Sequence, residues 1–293
     1  MSNPSTYKTV SLQNNATIAY ISAGAPDLPT ILLLHGFPSS SNQYRNLIPL
    51  LSHKYHVIAP DLPSYGSTTT PPDYQFSFSN LANTIAEFLK ALTITCYAVY
   101  IFDYGAPTAF RLALQSPASI KAIISQNGNA YVEGLGHPFW DPVEALWASD
   151  NAAADRESIR KNILTLATTK FQYTAGFPEK DLPLIDPVAF TYDYLQNLQT
   201  PEKQEAQLDL LYDYRTNVEL YPDFQAYLRK SQVPLLAIWG KNDPVFIPAG
   251  AEAFKRDLEG AVVKFVDAGH FALETKVGEI AKEILEWLDG IGY

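Results

Sequence analysis

The sequence predicts an α/β protein, a mostly parallel sheet with helices on both faces and a helical segment inserted before its last strands. Three observations predict it. Short apolar runs at 31–34, 56–59, 98–101 and 120–125 alternate with stretches whose apolar residues recur at helical spacing. From Gly134 to about Gln232 such runs stop, and helix-opening residues take their place. The alternation then resumes at 233–239 and 262–266. Strand–helix alternation implies parallel strands, whose ligands bind at the strands' carboxyl ends. The expected organisation is a core of 1–130 and 233–293 with a helical cap of 131–232.

Residues 7–13 and 17–22 alternate enough to form an antiparallel pair at a sheet edge, turned at Asn14-Asn15. The unbroken apolar run 31–34 suits a strand covered on both faces and ends in the stiff loop His35-Gly36-Phe37-Pro38. A helix is expected over 41–51, opened by a serine cap, with Tyr44, Leu47, Ile48 and Leu51 on one face. The strand 56–59 leads into Asp61-Leu62-Pro63-Ser64-Tyr65-Gly66-Ser67, read as a structural loop. A helix over 78–92 turns Leu81, Ile85, Phe88 and Leu89 inward. The next stretch, 98–111, places Asp103 between an apolar run and a helical pattern that follows Gly105. At such a corner the amides opening the helix face whatever the side chain attacks, although an Asp there also serves as a plain helix cap. In the inserted segment Asp141-Pro142 opens one helix, Asp150 caps the next, Asp186-Pro187 opens another, and 201–214 is expected to be the longest. A helix at 248–258 and a final amphipathic helix at 277–288 complete the chain.

Composition narrows the function. With 293 residues and 47% hydrophobic content the chain buries a large core. No apolar stretch reaches spanning length, and the first twenty residues lack the pattern of a targeting peptide, so a cytoplasmic protein is expected. Cys96 is the single cysteine, which excludes intrachain disulfides and Cys-based zinc sites. A formal charge of −10 disfavours nucleic acid and anionic membrane as partners. His53, His56 and His137 lack partners at metal-ligand spacing. Assembly state is left open, a homodimer included.

Two more chemistry-bearing residues follow strands: Asp243, after the run ending at Trp239, and His270, after the run ending at Val266. Side chains at the carboxyl ends of three strands of one sheet share an edge and can converge. Asp267 competes with Asp243 for the imidazole. The corner at Asp103, the His35-Gly36-Phe37-Pro38 loop, the 61–67 loop, the insertion point and the order Asp103, Asp243, His270 together resemble the α/β-hydrolase superfamily, in its epoxide hydrolase and dehalogenase branch with an Asp nucleophile. Ile101 and Ser64 stand where that pattern carries small residues. The resemblance covers essentially the whole chain.

The resemblance implies a mechanism. Attack by serine on a saturated carbon would leave an ether, whereas attack by Asp103 leaves an ester that water reopens. His270 would act as general base and Asp243 would fix its tautomer. The amides of Phe37 and Tyr104 would form the oxyanion hole. No metal or organic cofactor is called for. For the leaving group, Tyr214-Arg215 resembles the second lid tyrosine of epoxide hydrolases; Trp147 lies near the first, with Tyr131 and Tyr173 further off. Tyr212 and Tyr214, two residues apart, do not share a helix face. An aromatic lid suggests a small neutral, largely apolar substrate. Epoxide opening is the leading expectation. A dehalogenase with the same three residues, or a non-hydrolytic ligand-binding protein or isomerase, is the alternative.

Overall fold

In the computed structural model, which describes residues 4–293, the strands are β1 (Thr6–Ser11), β2 (Thr17–Ala23), β3 (Thr30–Leu34), β4 (His56–Pro60), β5 (Tyr97–Ile101), β6 (Ile120–Ser125), β7 (Leu235–Gly240) and β8 (Val262–Val266). They form one sheet in the order β1-β2-β4-β3-β5-β6-β7-β8. β1 and β2 are antiparallel to their neighbours, and every pairing from β4 to β8 is parallel. Parallel strands come from crossovers. The helices between the strands are α1 (Ile48–Leu51), α2 (Phe78–Ala91), α3 (Gly105–Gln115), α4 (Asp141–Ala148), α5 (Ala153–Asn162), α6 (Leu166–Thr174), α7 (Pro187–Asn197), α8 (Pro201–Asp213), α9 (Arg215–Ser231) and α10 (Pro248–Ala253), and α11 (Leu273–Gly290) follows the last strand.

Side-chain alternation on the central strands explains the layers. On β5, Tyr97, Val99 and Ile101 enter one apolar cluster with α2 and α3, while Ala98 and Tyr100 enter the other with α1 and α11. A strand buried on both faces reads as a continuous apolar run, which is why 31–34 and 98–101 stand out in the sequence.

Four local expectations are corrected. Residues 41–51 do not form one helix: a 3-10 turn (Ser41–Tyr44) precedes α1, because Pro49 within a continuous helix would clash with the carbonyl of Arg45. The inward face is nonetheless as expected, since Tyr44, Leu47, Ile48 and Leu51 are all buried. The longest inserted helix is α9, with 17 residues against 13 for α8, and Pro222 lies inside it. Asp150 does not cap α5, whose cap position is Ala152; its carboxylate instead accepts from Tyr212 Oη. The expected helix at 248–258 ends at Ala253 and tightens into a 3-10 turn (Phe254–Arg256).

Between β6 and β7 the chain runs through α4 to α9. Buried polar contacts tie these helices to the loops that follow the strands. Asn197 at the end of α7 donates to the carbonyls of Pro38 and Ser39 and accepts from the amide of Gly66. Gln207 on α8 accepts from Tyr65 Oη at 2.5 Å and donates to Ser64 Oγ. No helix among the described residues is long and apolar enough to cross a membrane.

Candidate active site

Asp103 lies two residues beyond β5 and two before α3. Its φ of +46° puts it in the left-handed region, a strained position for a residue with a Cβ, of order 1–3 kcal/mol. The strain is held by packing around Gly105, where a Cβ would lie 2.1 Å from the carbonyl oxygen of Leu34. The turn thus needs glycine there, and the Asp103 carboxylate is held at the sheet edge.

The loop after β3 reaches over to meet it. The amide of Phe37 donates to Asp103 Oδ1 at 2.5 Å, and the amide of Tyr104 also bonds the carboxylate. Gly36 makes this approach possible: a Cβ on it would lie 2.2 Å from Asp103 Oδ1 and 2.6 Å from the Tyr104 nitrogen. His35 is a strut. Its Nε2 accepts from the Leu62 amide at 2.9 Å, and burial lowers its pKa to about 4, so the ring is neutral and fixes the loop to the 61–67 segment. That segment is structural, as expected, since Asp61 accepts from the amides of Ser41 and Ser67.

His270 and Asp243 complete the arrangement. His270 follows β8, and its Nδ1 donates to Asp243 Oδ2 at 2.8 Å. Its Nε2 has no hydrogen-bond partner among the described residues and lies 4.0 Å from Asp103 Oδ2. Asp243 Oδ1 accepts from the Val245 amide, and Oδ2 also accepts from Asn127 Nδ2 at 2.6 Å. Asn127 is a further site residue, reached from the end of β6; its Oδ1 accepts from the Gly240 amide and from Gln126 Nε2, so it is itself held. The rival Asp267 is exposed and paired with Lys241 and Asn242. Asp243 is the imidazole's partner.

Electrostatics follow from burial. Burial pushes the Asp103 carboxyl up to about 6, although His270 and the amides of Phe37 and Tyr104 pull it down. For His270 burial opposes the charged form, but Asp243 and then Asp103 outweigh it and hold the pKa above the ordinary value. At neutral pH the carboxylate is ionised, poised close to its titration.

Asp103 opens on a small, partly enclosed cavity of about 20 Å³, enough for one water, walled by Phe37, Tyr104, Phe139, Trp140, Gln172 and Leu211 among others. The tyrosines and tryptophan expected to line it divide. Tyr214 turns inward and is fully buried, packed on Trp140 and Tyr104, with its Oη 3.3 Å from Tyr221 Oη. It stands behind the wall, not on it. Tyr212 turns the other way: Arg215 lies over its ring and its phenol donates to Asp150. Trp147 is displaced from the wall by Trp140 and spends its indole N–H on the Leu211 carbonyl. Tyr131 and Tyr173 point elsewhere, their phenols on Asp257 and Asp193.

Sequence reasoning missed Trp140 and Gln172 on the wall, and Asn127 behind the acid. Asn127 carried a signal, since it follows a parallel strand on the edge where the other site residues lie. The surface histidine His137 does have acidic neighbours, contrary to expectation: Asp141 and Glu144, on the next turns of chain, all three with little burial.

Comparison with known proteins agrees with this fold. The family model described as alpha/beta hydrolase fold matches residues 29–277. An uncharacterized hydrolase of Saccharomyces cerevisiae is 46% identical over 282 residues, covering 95% of this chain and 96% of its own. Among solved structures, a haloalkane dehalogenase from Bradyrhizobium elkani superposes with a TM-score of 0.79 at 22% identity, covering 99% of each chain. An epoxide hydrolase superposes with a TM-score of 0.78 at 20% identity, covering 98% of this chain and 100% of its own.

Proposed function

Because the chain belongs to the alpha/beta hydrolase fold family, we propose that it is a hydrolase that opens small epoxides to diols through an ester on Asp103. The observation that carries this reading is a buried carboxylate with one oxygen, Oδ1, held by the Phe37 amide, and the other, Oδ2, 4.0 Å from an imidazole Nε2 that is unpaired among the described residues. Oδ2 attacks the epoxide carbon; the carbon–oxygen bond breaks with its electron pair on the departing oxygen. That oxygen takes a proton, and Tyr104 is the phenol on the cavity wall, its Oη buried without a partner among the described residues. Water then attacks the Asp103 carbonyl carbon as His270 Nε2 removes its proton, Asp243 stabilises the imidazolium, and the amides of Phe37 and Tyr104 receive the negative charge on Oδ1.

The wall favours an oxygen leaving group over a halide. An oxygen leaving group needs a proton, which the Tyr104 phenol can give, whereas a halide cradle needs several N–H donors. Both indoles beside Tyr214 are committed, Trp140 to the Val245 carbonyl and Trp147 to the Leu211 carbonyl, leaving the Gln172 amide as the one unpaired side-chain N–H among the residues lining the cavity. No cationic side chain lines the cavity to hold a carboxylate, which supports a neutral substrate. The sequence segment 131–232 acts in this reading as the cap that excludes bulk water. Propylene oxide, styrene oxide and a bromoalkane separate the choices: diol from either epoxide without bromide is expected. In a single turnover in water enriched in heavy oxygen, the label goes to Asp103 and the first diol is unlabelled. Labelled first-turnover diol excludes the ester, and bromide without diol gives the reaction to a dehalogenase.

A further inference from the structure

Gln172 is the one wall residue whose chemistry the mechanism above leaves unused. It lies on α6, is 1% exposed, and its Nε2 has no hydrogen-bond partner among the described residues. It shares the small cavity with Asp103. A buried amide donor left unpaired costs roughly 1–3 kcal/mol, so a residue of this kind persists where something else supplies its partner. Its neighbours give no other reason for a polar group. Phe171 before it is exposed, and Tyr173 after it is buried on Phe271.

Displacement at a saturated carbon fixes where the leaving atom goes. The nucleophile and the departing atom stand on opposite sides of the carbon, nearly in line. Asp103 attacks from the strand edge, so the departing oxygen moves toward the helices that cover that edge. From the segment carrying them the cavity is lined by Phe139, Trp140, Val143, Ile163, Gln172 and Leu211, on the helices or just beside their ends. Five of these six offer it nothing: four are hydrocarbon or phenyl, and the indole N–H of Trp140 is held by the Val245 carbonyl. We propose that the carboxamide of Gln172 is the hydrogen-bond donor that receives the leaving oxygen as the Asp103 ester forms. It rests on the ester reading and deepens it. The amide donates a hydrogen bond and no proton; the proton still comes from the phenol, so Gln172 stabilises the developing alkoxide before it is protonated.

This placement predicts a separation of the two steps. Gln172 matters while the carbon–oxygen bond of the epoxide breaks, and has no part once water attacks the ester. With enzyme in excess over propylene oxide, rapid quenching and intact-mass detection read both the rise and the decay of the adduct. Gln172→Met, of similar length, is expected to slow the rise by about 10²-fold, the loss typical of one donor to a developing oxyanion, and to leave the decay within about twofold of the parent. Its melting temperature is expected to be equal or higher, because an unpaired amide has gone. Gln172→Glu, which keeps the shape and loses the N–H donors when ionised, provides the second variant and is expected to slow the rise likewise. An unchanged rise in both variants overturns the proposal. Equal slowing of both phases with a lowered melting temperature makes Gln172 a packing residue and overturns it too. If the parent protein itself shows no adduct, even with His270→Gln, it is the ester reading that fails.

Discussion

The approach of two backbone segments to one carboxylate gives the sharpest test of the oxyanion hole. In Gly36→Ala the added Cβ would meet Asp103 Oδ1 at 2.2 Å and the Tyr104 nitrogen at 2.6 Å. Both atoms are anchored, one by the turn at Asp103 and the other by the start of α3, so the loop carrying Phe37 must withdraw. Opening the 2.2 Å contact to an ordinary one of about 3.4 Å needs a withdrawal of about 1.2 Å, which takes the Phe37 amide from 2.5 Å to about 3.7 Å, beyond useful hydrogen-bonding distance. Removing one oxyanion donor typically costs about 3–4 kcal/mol, or 10²–10³-fold. The loss falls on ester hydrolysis, where charge returns to Oδ1; during ester formation Oδ1 loses charge, so that step is spared or quickened. Turnover should therefore drop by about 10²–10³-fold while the alkyl-enzyme becomes visible by intact-mass spectrometry after brief exposure to epoxide. Full turnover in Gly36→Ala, or a loss of turnover with no adduct and no loss of fold by circular dichroism, would refute the role given to the Phe37 amide.

Four further outcomes follow from the same geometry. In His270→Gln the ester should form and persist as a stoichiometric adduct, because nothing at Nε2 remains to take a proton from water; rapid diol release from this variant would remove His270 from its role. Replacing Asn127 by Ala deletes a 2.6 Å hydrogen bond to the Asp243 carboxylate; bonds to charged groups are worth roughly 1.5–3 kcal/mol, so ester hydrolysis should slow by about 10- to 100-fold with ester formation little changed, as read by single-turnover kinetics. Since burial raises the Asp103 pKa to about 6, ester formation should fall about tenfold per pH unit below that value, and kcat/KM should show this limb. The same shift has a sign for stability: a carboxyl with a raised folded-state pKa favours the folded state most below about pH 4 and loses that contribution as pH rises through 6. Asp103→Asn should accordingly melt at a higher temperature than the parent at pH 7.5, with the difference shrinking toward pH 4 in scanning calorimetry.

How far the sequence reached depends on what each kind of residue encodes. Strands buried on both faces announce themselves as unbroken apolar runs, and residues just beyond such strands in a parallel sheet all meet at one edge. Asp103, Asp243 and His270 were legible for that reason, and so was the oxyanion loop, where glycine is dictated by a contact of 2.2 Å. The helices over the site encode much less. Spacing places Tyr212 and Tyr214 on different faces but does not say which faces inward. That was decided by the break between α8 and α9, where Tyr214 turns onto Trp140 and Tyr212 is drawn out by Asp150 and Arg215. Likewise Trp140 and Trp147 are seven residues apart, so spacing alone does not separate them, and the sequence reading took Trp147 where the structure has Trp140. What separates them is that one indole reaches the Val245 carbonyl beside the site and the other a carbonyl within the helices.

Gln172 shows the deeper limit. Nothing in the sequence around Gln172 marks it for burial; in the structure it is buried and Phe171 is exposed, while Tyr173 stacks on Phe271 with ring centroids 3.9 Å apart and bonds Asp193. With Tyr173 fixed there, the rotation of the helix is set and Gln172 lines the same cavity as the Asp103 carboxylate. The polarity of the cavity wall here thus depends on a packing contact made by the neighbouring residue, about 100° round the helix, with a residue far away in sequence, and no pattern local to 166–174 contains it. For the same reason the chemistry at the floor and the specificity at the roof are encoded differently, the first by position in the sheet and the second by how each covering helix happens to be turned.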